Sequence, residues 1–157
     1  MLFPAQPILN RGIGGEKTAD LPCRLDTAIN DPRGVLLLIG TNDLTAAVAR
    51  DEILANLREI LSGIESRAPG VPVVVQSVMP RSRSYAREVR ELNLGYQAVV
   101  SEAVTPARYL DLWPTLSADD GSLRRDLTRD NLHLNGNGYR EWAALLQPIV
   151  DNWSLSP

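Results

Sequence analysis

The chain is short of the residues that build metal and redox centres. It has one cysteine, Cys23, and one histidine, His133, in 157 residues. A single cysteine excludes an intrachain disulfide and a thiolate metal cluster, and a single histidine leaves no second imidazole for a zinc site. Long hydrophobic runs are missing as well. No apolar stretch approaches the roughly eighteen residues that a membrane-crossing helix needs. The opening MLFPAQPILN has neither the basic start nor the apolar length of a signal peptide. A strong excess of one charge is also lacking: the formal net charge is −3, which offers no footprint for nucleic acid or a membrane surface. Repeats, low-complexity segments and linker-like boundaries are not found. The expectation is a single domain over residues 1–157 with no metal or organic cofactor. A reducing compartment is compatible with the cysteine count, so a cytoplasmic location is expected; the oligomeric state is left open.

What is present is the composition of an ordinary globular protein, 44% hydrophobic and 22% charged, enough apolar material for a core. Val35–Gly40 (VLLLIG) and Val71–Val78 (VPVVVQSV) are short apolar runs rich in branched residues and bounded by glycine or proline, the pattern of buried parallel strands. Ala107–Leu112 is a third candidate strand and Pro7–Asn10 (PILN) a stub of a fourth. Between them run helical patterns. Ile53, Leu54, Leu57, Ile60, Leu61 and Ile64 form one apolar stripe, and a second helix is expected over 85–100 with Val89, Leu92 and Tyr96 inward. A third follows LNGNGY and carries Trp142, Leu145, Leu146 and Ile149. Alternating strands and helices imply an α/β sandwich with helices on both faces of a parallel sheet, where ligands sit at the carboxyl ends of the strands.

Polar clusters fall at those ends. The first is NRGIGG, residues 10–15, whose adjacent glycines let backbone approach a ligand and present an N–H unobstructed; a plain tight turn is the competing reading. Its spacing fits neither a dinucleotide fingerprint nor a phosphate loop. The second is IGTNDL, residues 39–44, where Asn42 and Asp43 are expensive to bury unless each finds partners. An amide there can donate to a developing negative oxygen, and helix capping is the alternative. The third is RDNLHLNGNGY, residues 129–139, in which Asp130 precedes His133 by three, a spacing that lets a carboxylate orient an imidazole. Asn135 is placed to cap the last helix. The arginine-rich stretch Arg81–Arg90 reads either as an anion-holding patch or as a solvated loop and first helical turn, the solvated reading being preferred. Trp113, Trp142 and Trp153 read as packing residues.

Taken together and in this order, the three clusters resemble the SGNH, or GDSL-type, hydrolase superfamily, and most nearly the compact esterases that include the platelet-activating-factor acetylhydrolase catalytic subunits. NRGIGG resembles the glycine block, GTND the asparagine block and DNLH the terminal Asp-x-x-His block. The resemblance implies a three-layer α/β/α sandwich with a parallel, flavodoxin-like sheet. It also implies roles: Gly15 as backbone oxyanion donor, Asn42 as side-chain oxyanion donor, His133 as general base and Asp130 as its supporting carboxylate. Fixed donors to a developing oxyanion are worth about 3 to 4 kcal/mol each.

One block of the family is not matched. Its first strand ends in Gly-Asp-Ser, which supplies the nucleophile, and no such tripeptide occurs in the 157 residues. Only nine residues precede the glycine block. The expectation is therefore a sheet lacking its first strand and an N-terminally truncated start. Ser77, Ser82, Ser84 and Cys23 are the possible substitutes; Cys23 is expected to pack in the helix after the glycine block, and none of the four stands at the nucleophile's strand-end turn, so no nucleophile is assigned. Two functions are implied: an esterase acting on acetyl or other short acyl esters through an acyl-enzyme, its partner a small-molecule ester, with this chain inactive alone; or a non-catalytic α/β module that binds a ligand or protein.

Overall fold

The computed structural model describes Phe3 and residues 8–155. After the glycine turn, a 3-10 turn at Pro22–Arg24 leads into a short helix, α1 (Leu25–Ala28), and then β1 (Val35–Leu37), α2 (Thr41–Thr45), α3 (Arg50–Arg67) and β2 (Val73–Gln76). A 3-10 turn at Arg83–Tyr85 precedes α4 (Ala86–Glu102), followed by β3 (Ala107–Leu110), α5 (Trp113–Leu116), a 3-10 turn at Arg125–Leu127 and α6 (Gly136–Leu155). The described chain divides into two compact units. One comprises Arg11–Val78 and Glu88–Leu110; the other comprises Met79–Arg87, Asp111 onward and the described residues before Arg11.

The first unit holds the sheet. Three strands pair in parallel in the order β1-β2-β3, with Val35 opposite Val73 and Leu37 opposite Val75 on one side, and Val73 opposite Ala107 and Gln76 opposite Leu110 on the other. β2 lies in the centre and all four of its residues are buried, as its unbroken run of valines demands. β1 departs from expectation. Its run VLLLIG forms only three residues of strand, and of these only Leu37 is buried, while Leu38 is exposed. The cause is position: β1 is the sheet edge among the described residues, with a strand neighbour on one side only. The expected strand at Pro7–Asn10 is corrected too. Pro7 lies outside the described residues, and Ile8–Asn10 is irregular, with Ile8 and Leu9 exposed.

The helical stripes emerge as their periodicity predicts. α3 buries Ile53, Leu57, Ile60, Leu61 and Ile64, and α4 buries Val89, Leu92, Tyr96, Val99 and Val100. The two run side by side, bridged at the surface by Arg50–Glu91 (3.8 Å) and Arg58–Glu102 (3.6 Å), exposed pairs worth no more than about 1 kcal/mol each. Asn93 makes a stronger tie. Its buried amide accepts the N–H of Val78 (2.8 Å) and donates to the same residue's carbonyl (2.9 Å), pairing the chain after β2 as a neighbouring strand would.

Within the second unit, α6 begins earlier than the sequence pattern suggests, taking in Gly136–Gly138. Leu146, Ile149 and Val150 are buried, whereas Trp142 is only half-buried and lies 6.0 Å from the Tyr139 ring in a tilted arrangement.

Gly40 joins β1 to α2 with φ 112°, and a Cβ there would lie 2.5 Å from the Tyr96 hydroxyl and 3.0 Å from Val78 Cγ2. Tyr96 is fully buried and has no room to retreat. Replacing Gly40 by alanine is expected to destabilise the protein by about 2–4 kcal/mol, combining left-handed backbone strain with overpacking. Urea unfolding checks this; a midpoint unchanged from the parent would show that the turn tolerates a side chain.

Candidate active site

Two expected site residues come together in the unit that holds the sheet. Gly14 and Gly15 form the turn of the NRGIGG segment, with Gly15 at φ 85° and open space where a side chain would project. A left-handed backbone at this point favours glycine, and the absent side chain leaves the turn's amides approachable. Asn42, in the first turn of α2, donates from Nδ2 to the carbonyl of Glu16 at 2.9 Å. One N–H of the amide is thus committed to the residue after Gly15, which sets the direction of the other. Glu16 is itself held, its carboxylate gripped by the Arg24 guanidinium through Nε and Nη2.

Asp43 has the partners its burial requires. Its side chain is wholly buried, and its carboxylate accepts the backbone N–H of Thr18 (3.0 and 3.1 Å) and the Thr18 hydroxyl (2.6 Å). The hydroxyl accepts in turn from Asn56 Nδ2 on α3 at 3.0 Å. Sequence reasoning identified the need for partners but not the partners. Thr18 and Asn56 are the neighbours it missed, since they lie 25 and 13 residues from Asp43 and carry no local pattern.

The other two expected residues meet within the second unit. His133 Nδ1 lies 2.7 Å from Asp130 Oδ2, while Asp130 Oδ1 accepts the backbone N–H groups of Leu132 (3.0 Å) and His133 (2.8 Å). Asn131 takes φ 60° to close this tight loop. The Thr128 hydroxyl donates to the His133 carbonyl at 2.7 Å, a clamp not seen in the sequence. With Nδ1–H donating to the carboxylate, Nε2 is left as a proton acceptor, and the His133 side chain is 77% exposed. Asp130 is held well below the usual carboxylate range, first by the bond to the His133 side chain and then by the two backbone N–H groups. Asn135 caps α6 as expected, accepting from the N–H groups of Asn137 (2.8 Å) and Gly138 (3.1 Å).

Ser77 directly follows β2 and is buried, its N–H donating to Leu110. Ser82 and Ser84 face each other with hydroxyls 3.3 Å apart. Cys23 is exposed in a 3-10 turn, which corrects the expectation that it packs in a helix. In the arginine-rich stretch, Arg83, Arg87 and Arg90 are exposed as a solvated segment would be, but Arg81 is buried, with its guanidinium 3.9 Å from the centre of the Tyr85 ring. The aromatic face makes burial of that cation tolerable. Among the described residues, no three or more His, Cys, Asp or Glu side chains gather as metal ligands, and no helix is long and apolar enough to cross a membrane.

The model of the GDSL-like lipase/acylhydrolase family matches residues 1–141 of this sequence. The chain belongs to that family. Solved structures agree on the fold of this GDSL-like chain. A candidate platelet activating factor from Streptococcus pneumonia matches at 26% identity with a TM-score of 0.86, covering 94% of this chain and 74% of that one. A GDSL-like lipase from Bacteroides thetaiotaomicron matches at 19% identity and TM-score 0.84, covering 96% and 78%. A family 3 carbohydrate esterase from Talaromyces cellulolyticus matches at 20% identity and TM-score 0.76, covering 97% and 79%. No curated protein matches the sequence. The fold class expected from strand and helix alternation, a parallel sheet flanked by helices, is the fold shared with these solved structures.

The lowered Asp130 carboxyl has a consequence for pH. Because its folded pKa lies below the unfolded value of about 3.9, its ionisation stabilises the fold fully above that value, and the contribution is lost as pH falls through the lowered pKa. Comparing the parent with Asp130→Asn by thermal melting between neutral pH and pH 2 should show a constant gap down to about pH 4, narrowing below it. A gap independent of pH throughout would show that the carboxylate's bonds to His133 and the loop do not favour its charged form.

Proposed function

We propose that this chain supplies the general base and the oxyanion donors of a serine esterase that cleaves acetyl or other short acyl esters. The observation that carries the reading is the Asp130–His133 pair, a 2.7 Å contact on Nδ1 of a largely exposed ring. In the proposed reaction Nε2 takes the proton of an attacking hydroxyl, and Asp130 stabilises the imidazolium that results. The Gly15 N–H and the second N–H of Asn42 Nδ2 receive the charge that builds on the carbonyl oxygen. His133 then returns its proton to the leaving alcohol, and a water activated by the same nitrogen releases the acyl group. No cofactor takes part. Membership of the GDSL-like lipase/acylhydrolase family supports ester hydrolysis. The short acyl preference rests on the exposure of His133, which suits a small soluble ester better than a long chain needing an enclosed apolar channel. The carbohydrate esterase among the structural matches is in keeping with an acyl sugar as one such substrate.

The sequence contains no Gly-Asp-Ser, and the reading assigns the nucleophile to none of its serines. That same observation favours the second reading, a non-catalytic binding module. The two are separated with a serine-reactive fluorophosphonate applied to protein from the native source. The esterase reading expects labelling of a species that contains these residues, and hydrolysis of p-nitrophenyl acetate faster than that of long-chain esters. It also expects a loss of about 10²- to 10⁴-fold when His133 is replaced by alanine. The 157-residue chain alone is expected to hydrolyse the ester at close to the background rate. A native species that stays unlabelled while folding cooperatively would overturn the esterase reading in favour of the module.

A further inference from the structure

Around the glycine turn, three successive attachments converge on the segment 15–18. The Glu16 carbonyl accepts from Asn42, the Glu16 carboxylate is gripped by Arg24, and the Thr18 N–H and hydroxyl both donate to Asp43. Asn42 and Asp43 are adjacent on α2, so the asparagine proposed as oxyanion donor and the carboxylate that anchors the glycine segment move as one body. Asp43 and Thr18 are both completely buried, and Asn56 on α3 donates to the Thr18 hydroxyl at 3.0 Å, which leaves that hydroxyl's hydrogen directed at Asp43. A buried carboxylate met by two donors of one residue, the Thr18 N–H shared between its oxygens and the Thr18 hydroxyl, cannot slide without leaving charge unsolvated, so it fixes distance as well as identity.

From this geometry we infer that Asp43, acting through Thr18, is a positioning residue that fixes the Gly15 turn relative to the Asn42 amide, so that two N–H donors are presented at one set spacing to an anionic oxygen. The inference deepens the proposed esterase reading and rests on it for the nature of the anion. Asp43 does not meet substrate in this scheme. It replaces the freedom of an exposed glycine turn by a buried anchor three residues downstream, because donors preorganised before charge develops stabilise it most.

The test uses the 157-residue chain labelled with ¹⁵N and ¹³C. Thr18→Val removes the hydroxyl while keeping the branched shape, and Thr18→Ser restores it. Signals of the Gly15 backbone amide and the Asn42 side-chain amide are followed for line broadening, with the thermal midpoint recorded alongside. The expected result is that both signals broaden in Thr18→Val while signals of the α3 core methyls stay in place, and that Thr18→Ser returns them. Unchanged Gly15 and Asn42 signals in Thr18→Val would overturn the inference, whatever the thermal midpoint does, since a merely structural role predicts only the midpoint change. Asp43→Asn offers a second variant with the same expected broadening. Titration with acetate separates the two levels of reading. Saturable shifts at Gly15 and Asn42 in the parent, weakened about tenfold in Thr18→Val because one donor to the anion loses its alignment, support both. A parent without any acetate shift overturns the oxyanion role of these donors, while the line widths still decide the positioning role.

Discussion

A carboxylate removed from water is the constraint on which the sheet-bearing unit is organised. Taking an ion such as Asp43 into the interior costs several kcal/mol unless its oxygens are met by donors. Here they are met by the N–H and hydroxyl of one residue, Thr18. Because the penalty for breaking that arrangement is large, the neighbours must conform. α2 has to start where it does, which forces Gly40 into a left-handed turn against the Tyr96 hydroxyl. Tyr96 then has to remain a neutral phenol. Burial first, and the nearby Asp43 charge second, push its pKa upward, so it stays protonated and donates to the Ile39 carbonyl at 3.3 Å. One buried charge therefore links α4, the end of β1, α2 and the glycine turn.

The Asp130–His133 pair is built on the opposite plan. Both side chains are largely exposed, so little desolvation has to be offset, and the geometry comes from a loop of six residues rather than from packing. Thr128 holds the His133 carbonyl, Asp130 holds two backbone N–H groups, and Asn135 closes the loop onto α6. A carboxylate engaged by both a ring N–H and two backbone N–H groups keeps its negative charge over a wide pH range. That constancy suits the orienting role proposed for Asp130.

Which parts of this were legible in the sequence follows from the range of the forces involved. α3 and α4 were readable because burial repeats every three to four residues along one helix, and Asn135 because a cap acts within three residues. The spacing of Asp130 and His133 was readable for the same local reason. β1 was overread: an apolar run states a tendency to be buried, while the number of strand neighbours depends on the sheet, and an edge position left only Leu37 covered. Arg81 is read with its exposed neighbours because its stacking on Tyr85 depends on how the 3-10 turn at Arg83–Tyr85 folds the chain back, and one isolated contact leaves no periodic pattern in the sequence. The anchoring of Asp43 lay beyond reach. Asn42 and Asp43 could be seen to need partners, but Thr18 lies in a loop without periodicity, and nothing in a single sequence pairs residue 18 with residue 43.

The bond from Asn42 to the Glu16 carbonyl illustrates how such contacts are best understood. A neutral hydrogen bond contributes a net of about 0.5–1.5 kcal/mol, and ordering the side chain that makes it offsets a comparable amount. Its contribution to stability is accordingly small. Its effect on direction is large, since a planar amide with one N–H bound at 2.9 Å has its second N–H fixed in the same plane. The ion pair between Glu16 and Arg24 acts likewise: half-buried, it adds modestly to stability but stops the acceptor from drifting. For the oxyanion donor proposed at Asn42, which would have to be in place before charge appears on an ester oxygen, direction is the quantity that matters. A glycine turn alone, with open space on its side-chain face, would not provide it; the turn becomes rigid only because the residues that follow it are tied to α2.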